Sequence, residues 1–164
     1  MRCCPRKTGS CILSRRILHS NLKTMREIQR VIVSAFVFSK DGKLLMGRKD
    51  PSKGGVYPDC WHVPGGGIDE GETLEEALER EMKEEVGISV TSYHPVLFKE
   101  KGGGIAEKTL PTGEKVLCHM EFNIFRVDVD QLADDIQLIL DDDLVEVRWF
   151  DMRELPHVKQ IPGG

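Results

Sequence analysis

No stretch of this sequence approaches the ~18 consecutive apolar residues that a membrane-spanning helix needs. Its five cysteines contain no Cys-x-x-Cys pair, so neither a zinc site nor a disulfide framework is indicated, and a reducing, cytoplasmic setting fits. None of its five histidines belongs to a His-Glu-x-x-His motif, which is typical of one class of zinc enzyme. Internal repeats and low-complexity tracts are also missing. What remains is an ordinary globular composition, with 40% hydrophobic and 30% charged residues in a chain of 164.

Charge is distributed unevenly along the chain. Residues 1–25 hold six cationic side chains and no acidic one, so the net charge of −4 leaves −10 on residues 26–164. We interpret residues 1–25 as a basic, disordered tail or as translation begun upstream of Met25, with organelle targeting left open. Residues 26–164 are then a single domain. Their acidity argues against a nucleic-acid partner, but it permits a phosphate substrate if a divalent cation lies between the acids and the phosphate.

Apolar runs separated by turn residues predict six strands. They cover residues 28–38, 44–48, 61–63, 88–98, 117–129 and 145–150. The Asp41-Gly42 pair between the first two predicts a hairpin. Residues 50–60 and 99–115, which are rich in glycine and proline, predict loops, and residues 131–136 and 152–155 predict short helices.

The clearest element is a helix over residues 73–86. Thr73 and Glu76 have the spacing of a capping box, and Gly87 is a favourable residue just beyond the helix end. Several strands around one strong helix indicate a mixed α/β or α+β fold.

This helix carries acids on the face that its apolar residues use. At ~100° per residue the apolar stripe consists of Leu74, Ala77, Leu78 and Met82. Glu81 and Glu85 fall inside that stripe, and Glu84 lies at its edge. Burying unpaired carboxylates costs several kcal/mol each, and acids at i, i+3 and i+4 repel one another. The pattern favours a hard divalent cation, Mg²⁺ or Mn²⁺, as their partner; the alternative is an acidic, solvent-exposed helix.

Residues 66–88 read GGIDEGETLEEALEREMKEEVGI. Gly66 is followed by five residues and Glu72, then by seven residues and Arg80-Glu81, and the segment ends in Glu84-Glu85, Gly87 and Ile88. This pattern resembles the Nudix box at every fixed position, and its seven strict identities arise by chance at about 10⁻⁸ per window. Trp61 and Pro64 before the box, and residues 149–155 after it, also resemble that family, so the resemblance covers residues 28–160.

The resemblance implies a mixed β-sheet sandwiched between helices, with a loop-helix-loop that binds metal. Glu84 and Glu85 would be the main ligands of Mg²⁺, with Mn²⁺ as a substitute. Glu81 would be a further ligand or the base that activates water. Arg80 would hold a glutamate of the box in place, and Glu72 would support the residues around the metal.

Further candidates lie around the box. By the same resemblance, a backbone carbonyl near Gly65 or Gly66 would complete the metal coordination. Asp143 and Glu146 are candidates for one more carboxylate from outside the box, and the alternative is that residues 141–143 are a solvated loop.

Candidate substrate contacts are less specific. Arg48 is positioned to meet a phosphate, unless it is only an exposed strand end. Tyr57 and Phe122 are able to stack on a base, although core packing is the simpler role for an aromatic residue. His62 and His119 are expected to be packing residues or substrate contacts rather than metal ligands.

Residues 54–61 and 110–115 resemble loops of the MutT-like nucleoside triphosphatases in the same family, in particular those acting on pyrimidine deoxynucleotides. We therefore expect Mg²⁺-dependent hydrolysis of a nucleoside or deoxynucleoside triphosphate to a monophosphate and pyrophosphate. Hydrolysis of a nucleotide sugar or ADP-ribose is the enzymatic alternative. A nucleotide-sensing module that binds without cleaving is the alternative of another class. The partner is a small nucleotide, without nucleic acid or membrane, and a homodimer is left open.

Overall fold

The computed structural model describes residues 25–50, 52, 59–110, 112–140 and 144–160. The predicted tail, apart from Met25, and the candidates Tyr57 and Asp143 lie outside these residues. Seven strands and one α-helix are present in the described part of the chain. They are β1 (Arg26–Phe38), β2 (Leu44–Lys49), β3 (Trp61–His62), β4 (Gly65–Gly67), α1 (Leu74–Val86), β5 (Val96–Thr109), β6 (Lys115–Asp128) and β7 (Leu144–Phe150).

The strands form one sheet in the order β3-β2-β1-β6-β5, with β4 paired to β1 and β7 paired to β2. β1 and β6 are parallel along their full length, whereas all other pairs are antiparallel. The predicted mixed sheet is therefore confirmed. The hairpin between β1 and β2 turns at Asp41-Gly42, where Gly42 has a φ of 76° and its N–H donates to the Ser39 carbonyl at 2.8 Å.

Alternation along β1 separates the two faces of the sheet. Val33, Ala35 and Val37 are fully buried and pack with α1 in the larger hydrophobic core. Phe36 and Phe38 point the other way, into a smaller cluster with Leu44, Met46 and Phe150. Trp61 and the 3₁₀ turn Leu155–His157 pack near that second cluster. Within the described residues α1 is the only α-helix, so one face of the sheet is helix-covered there.

The predicted helix is confirmed at both ends. Thr73 caps the N-terminus with its side chain, and Glu76 completes the capping box. Gly87 ends the helix in the left-handed conformation, with φ 75°. Ala77, Leu78, Met82 and Val86 are fully buried against the sheet, and each of the larger side chains contributes about 1.5–3 kcal/mol of hydrophobic stabilisation.

Two expectations for the segment after the helix were wrong. Residues 88–95 are not strand, because Ile88 and Val90 bury their side chains from an irregular segment that ends in the 3₁₀ turn Thr91–Tyr93. Residues 99–109 are not loop, because they continue β5 in antiparallel pairing with β6. Of the described residues between β5 and β6, Leu110 and Gly113 form the hairpin tip, where the Gly113 N–H donates to the Leu110 carbonyl at 2.8 Å. The short helices expected over 131–136 and 152–155 are 3₁₀ turns at Ala133–Asp135 and Leu155–His157.

No helix in the described ranges combines the length and apolar character that crossing a lipid bilayer demands.

Candidate active site

The free edge of β4 is the place where the glycine run meets the helix. The N–H of Ile68 and the carbonyl of Pro64 bond to β1, so Gly65 and Gly67 direct their backbone groups away from β1. The Gly65 N–H donates to Oε2 of Glu85 at 2.8 Å. The Gly67 carbonyl accepts from Nη2 of Arg80 at 3.0 Å. Side chains of α1 thus bind one outward-facing group of each of these two glycines and fix the helix against the strand.

Glycine is required at two positions of β4 by the packing around them. Gly65 has a φ of 142°, and a Cβ there would overlap the backbone of Val33 and Ser34. At Gly66 a Cβ would overlap the carboxyl group of Glu81. The Glu81 carboxylate therefore lies directly against the backbone of the glycine run. The resemblance to the family places a metal-binding carbonyl in this same run, near Gly65 or Gly66.

Arg80 is the centre of the charge network. Its Nε and Nη2 donate to the two carboxylate oxygens of Glu72 at 2.7 and 2.8 Å. Its Nη1 donates to Glu81 at 2.8 Å and to Glu84 at 3.2 Å. One planar guanidinium thus contacts three acids and the Gly67 carbonyl, which matches its rigid set of five N–H donors.

The three acids of the helix face differ in exposure. The Glu85 side chain is buried, at 9% exposure, and also lies 3.5 Å from Nζ of Lys49. Glu81 is nearly as enclosed, at 14%, whereas Glu84 is 59% exposed. The predicted placement of Glu81 and Glu85 inside the apolar face is confirmed, and Glu84 extends into solvent at its edge.

Electrostatics around Glu81 favour a positive partner. Burial raises the pKa of the Glu81 carboxyl, against the hydrogen bond from Arg80 that lowers it. The negative charges of Glu85 and Glu84 raise this pKa further. By contrast, Arg80 and the backbone N–H of Asp69 lower the pKa of Glu72 to about 2. Arg80 therefore outweighs burial at Glu72, whereas burial and the neighbouring acids outweigh Arg80 at Glu81.

The donor set suits a hard divalent cation. Carboxylate oxygens of Glu81, Glu84 and Glu85, with the outward-facing backbone carbonyl of Gly65, are the ligand types that Mg²⁺ and Mn²⁺ prefer. The carbonyl of Gly66, the other candidate, faces β1, because Gly66 pairs with Val33 between the two bonds to that strand. Within the described ranges, no three acidic, histidine or cysteine side chains already converge on one point. Arg80 lies between Glu81 and Glu84, and Glu85 turns to Gly65, so a cation would compete with these partners for the same oxygens.

Arg48, predicted to meet a phosphate, lies at the end of β2 and is paired with two acids. Its Nη1 donates to Asp59 at 2.7 Å and its Nη2 to Glu146 at 2.9 Å. Glu146, a candidate for the extra carboxylate, is thus a partner of Arg48 here. Sequence reasoning missed Asp59 and Lys49, because no spacing in the sequence links them to Arg48 or Glu85.

The remaining candidates lie away from the carboxylates. Phe122 is half-buried on β6, opposite Ile32 of β1. His119 Nε2 donates to the Glu27 carboxylate at 3.0 Å near the start of β1. The pKa of His62 is lowered by burial, and its Nδ1 contacts the Val63 carbonyl. Neither histidine contacts the acids of α1, and the expectation that they are not metal ligands stays a prediction.

Sequence comparison with known proteins matches one protein family. A model of the NUDIX domain family matches residues 28–163. The nucleoside triphosphatase NudI of Enterobacter sp. (strain 638) is 32% identical over 129 residues, which cover 77% of this chain and 85% of NudI.

Two solved structures share the fold. The MutT protein of Methanosarcina mazei Go1 has a TM-score of 0.56 at 20% identity, over 85% of this chain and 88% of that one. The NUDIX domain of Shewanella oneidensis NrtR, solved with ADP ribose, has a TM-score of 0.57 at 16% identity, over 87% and 84%. At these sequence identities, the similarity shows a shared fold and nothing about activity.

Proposed function

Since this chain belongs to the Nudix hydrolase family, we propose that it hydrolyses a nucleoside or deoxynucleoside triphosphate to the monophosphate and pyrophosphate, with Mg²⁺ as cofactor. The observation that carries the proposal is the set of three carboxylates on one face of α1, held against the glycines of β4. NudI, the relative at 32% identity, is named a nucleoside triphosphatase, which supports a triphosphate rather than another diphosphate compound.

In this proposal Glu84 and Glu85 hold the cation, with Glu81 and the Gly65 carbonyl beside them. When bound, a divalent cation supplies positive charge that neutralises the diphosphate oxygens. Glu85 is fixed by the Gly65 N–H and Lys49, so its position does not depend on the substrate. Glu84 is exposed and contacts Arg80 at 3.2 Å, so it exchanges this surface contact for a cation that arrives with the phosphate.

Glu81 is the residue proposed to accept a proton from the attacking water. Its carboxylate is enclosed and lies on Gly66, and its raised pKa moves it toward the range in which a carboxylate acts as a general base. Arg80 orients it through the 2.8 Å hydrogen bond. Glu72 anchors Arg80 from the other side, so Arg80 and Glu72 are positioning residues in this scheme.

The test is a panel of nucleoside and deoxynucleoside triphosphates, ADP-ribose and nucleotide sugars, incubated with the full chain and Mg²⁺ or Mn²⁺. We expect preferred turnover of a triphosphate, with pyrophosphate and a nucleoside monophosphate in equal amounts. Chromatography of the nucleotides and a coupled assay for pyrophosphate measure both products.

Other outcomes identify the alternatives. Preferred cleavage of ADP-ribose or a nucleotide sugar would contradict the triphosphate assignment. Release of a nucleoside diphosphate and phosphate would contradict the bond assignment. Binding of nucleotides without turnover under either metal would identify a sensor.

A further inference from the structure

Arg30 of β1 differs from every other arginine that the structure describes. The six others each form an ion pair with an acid; they are Arg26, Arg48, Arg80, Arg126, Arg148 and Arg153. Within the described residues, Arg30 has no hydrogen bond to, or ion pair with, another side chain. An acidic protein that leaves one guanidinium unpaired beside its charged cluster offers that group to a ligand.

The position of Arg30 is fixed by packing on the glycine run. A Cβ added at Gly67 would overlap Nη2 of Arg30 and approach its Cζ at 3.2 Å. The guanidinium therefore lies against the backbone of Gly67, on the face of β4 opposite the one that Glu81 covers at Gly66. Gly67 is also the residue whose carbonyl binds Arg80, so two arginines flank it.

The surroundings of Arg30 are open. It lines a surface cavity of about 490 Å³ together with Gln29, Val31, Ile68, Asp69 and Glu70. Asp69 lies within 3.8 Å of Arg80 and does not form an ion pair with Arg30. A ligand that enters this cavity meets the guanidinium without displacing a partner of it.

We propose that Arg30 is a substrate contact that binds the pyrophosphate portion of the triphosphate, on the far side of β4 from the metal-binding carboxylates. This inference rests on the proposed function. A guanidinium presents paired N–H donors that match two phosphate oxygens. A triphosphate that crosses the free edge of β4 meets the carboxylates of α1 near one end and Arg30 near the other.

The experiment measures binding of inorganic pyrophosphate with Mg²⁺ to the full chain by isothermal titration calorimetry. We expect Arg30→Gln to raise the dissociation constant about tenfold and Arg30→Lys to raise it less, because lysine keeps the charge but loses the paired donors. Arg26→Gln is the matched control, since Arg26 lies on the same strand and is paired with Glu114. It should bind as the wild type does.

Gly67→Ala gives a second, independent test. The new Cβ meets only the flexible end of Arg30, so it moves the guanidinium while the fold is kept. If Gly67→Ala weakens binding by moving the Arg30 guanidinium, the effects of Gly67→Ala and Arg30→Gln on the dissociation constant are non-additive. The double variant then binds pyrophosphate no more weakly than Arg30→Gln alone. Additive losses would contradict a role through Arg30.

The proposal is overturned if Arg30→Gln binds pyrophosphate within twofold of the wild type, or if Arg26→Gln loses as much affinity. A wild type that does not bind pyrophosphate at millimolar concentration also overturns it. A different result would refute the proposed function. A wild type that cleaves no triphosphate but binds pyrophosphate through Arg30 would refute the proposed activity and support this binding site.

Discussion

Glu81 and Glu85 occupy positions where a helix normally presents apolar side chains to the sheet. Helical periodicity places both acids in the stripe, and the structure confirms this, with Glu85 buried and Glu81 nearly so. The energetic cost of enclosing them is reduced by Lys49, by Arg80 and by the backbone N–H of Gly65. At Glu81, burial and the negative charges of Glu85 and Glu84 outweigh Arg80 and raise the pKa, and this is the physical reason to expect a cation there.

Replacement of Glu84 tests the proposed metal ligand that is most accessible. Glu84→Gln should lower kcat by orders of magnitude, because an amide oxygen is a weaker ligand than a carboxylate. The melting temperature without metal should change little, since the side chain is 59% exposed and exposed ion pairs contribute about 0–1 kcal/mol.

The matched control for this substitution is Glu75→Gln, on the exposed side of the same helix. It removes the same charge and should keep wild-type turnover. Normal turnover in Glu84→Gln would refute the ligand assignment.

The sequence did not predict side-chain contacts between residues that lie far apart along the chain. The Nudix resemblance implied that Arg80 holds a glutamate, but not that it contacts three acids and a carbonyl together. The Arg48 pairs with Asp59 and Glu146, 11 and 98 residues away, follow from strand pairing that no local spacing reveals. Its predicted role at a phosphate stays a prediction.

At the level of elements, β4 begins with a position that only glycine permits. Gly65→Ala should destabilise the fold by about 2–4 kcal/mol, because a Cβ at φ 142° overlaps the backbone of Val33 and Ser34, which cannot move easily. Chemical denaturation measures this loss.

The control is Gly71→Ala, where φ is also positive, at 90°, but open space surrounds the added Cβ. It should cost about 1 kcal/mol through backbone strain alone. Equal losses in the two variants would show that the contact with β1 does not matter.

The segment after α1 is held by Glu79, and this makes its stability depend on pH. The Glu79 carboxylate accepts from the Ser89 hydroxyl and from the backbone N–H groups of Val90 and Thr91 at 2.6–2.9 Å. Burial raises the pKa of Glu79, but hydrogen bonds from Lys83 and from residues 89–91 outweigh it and lower the pKa to about 2. A lowered pKa stabilises the fold above pH 4.5, and that contribution is lost as the pH falls toward 2.

Glu79→Gln should therefore lower the free energy of unfolding at pH 7 by about 2 kcal/mol. The difference between variant and wild type should shrink between pH 4.5 and pH 2, because the wild-type carboxylate becomes protonated there. Urea unfolding at several pH values measures both. A difference that stays constant over this range would contradict the role of the ionised carboxylate.

Helices and strands were predicted correctly where the local sequence signals agreed. They were predicted incorrectly where tertiary packing determined the local structure. The capping box and Gly87 placed α1 correctly. The glycines at 102–104 were interpreted as loop, yet they pair with β6 as strand, and a Cβ at Gly104 would approach the Phe122 ring at 3.2 Å. Glycine within a strand marks such close approach. Residues 88–95 have strand-like apolar spacing, but Glu79 takes the N–H groups of Val90 and Thr91 that a sheet would need.

At the scale of the whole molecule, the family match covers residues 28–163, and the single domain expected over 26–164 stays a prediction. A variant that lacks residues 1–24 should keep the melting temperature and kcat/KM of the full chain, because β1 begins at Arg26. Thermal unfolding and steady-state kinetics compare the two. A large loss of either would show that the basic segment belongs to the functional domain.

The central claim is that acids on one face of α1 share a divalent cation. Binding of Mn²⁺ to the full chain, followed by electron paramagnetic resonance, tests it most directly. We predict one Mn²⁺ site per chain that Mg²⁺ displaces, that Glu84→Gln loses and that Glu75→Gln keeps. Equal Mn²⁺ binding by all three proteins, or none by the wild type at millimolar concentration, would contradict the claim.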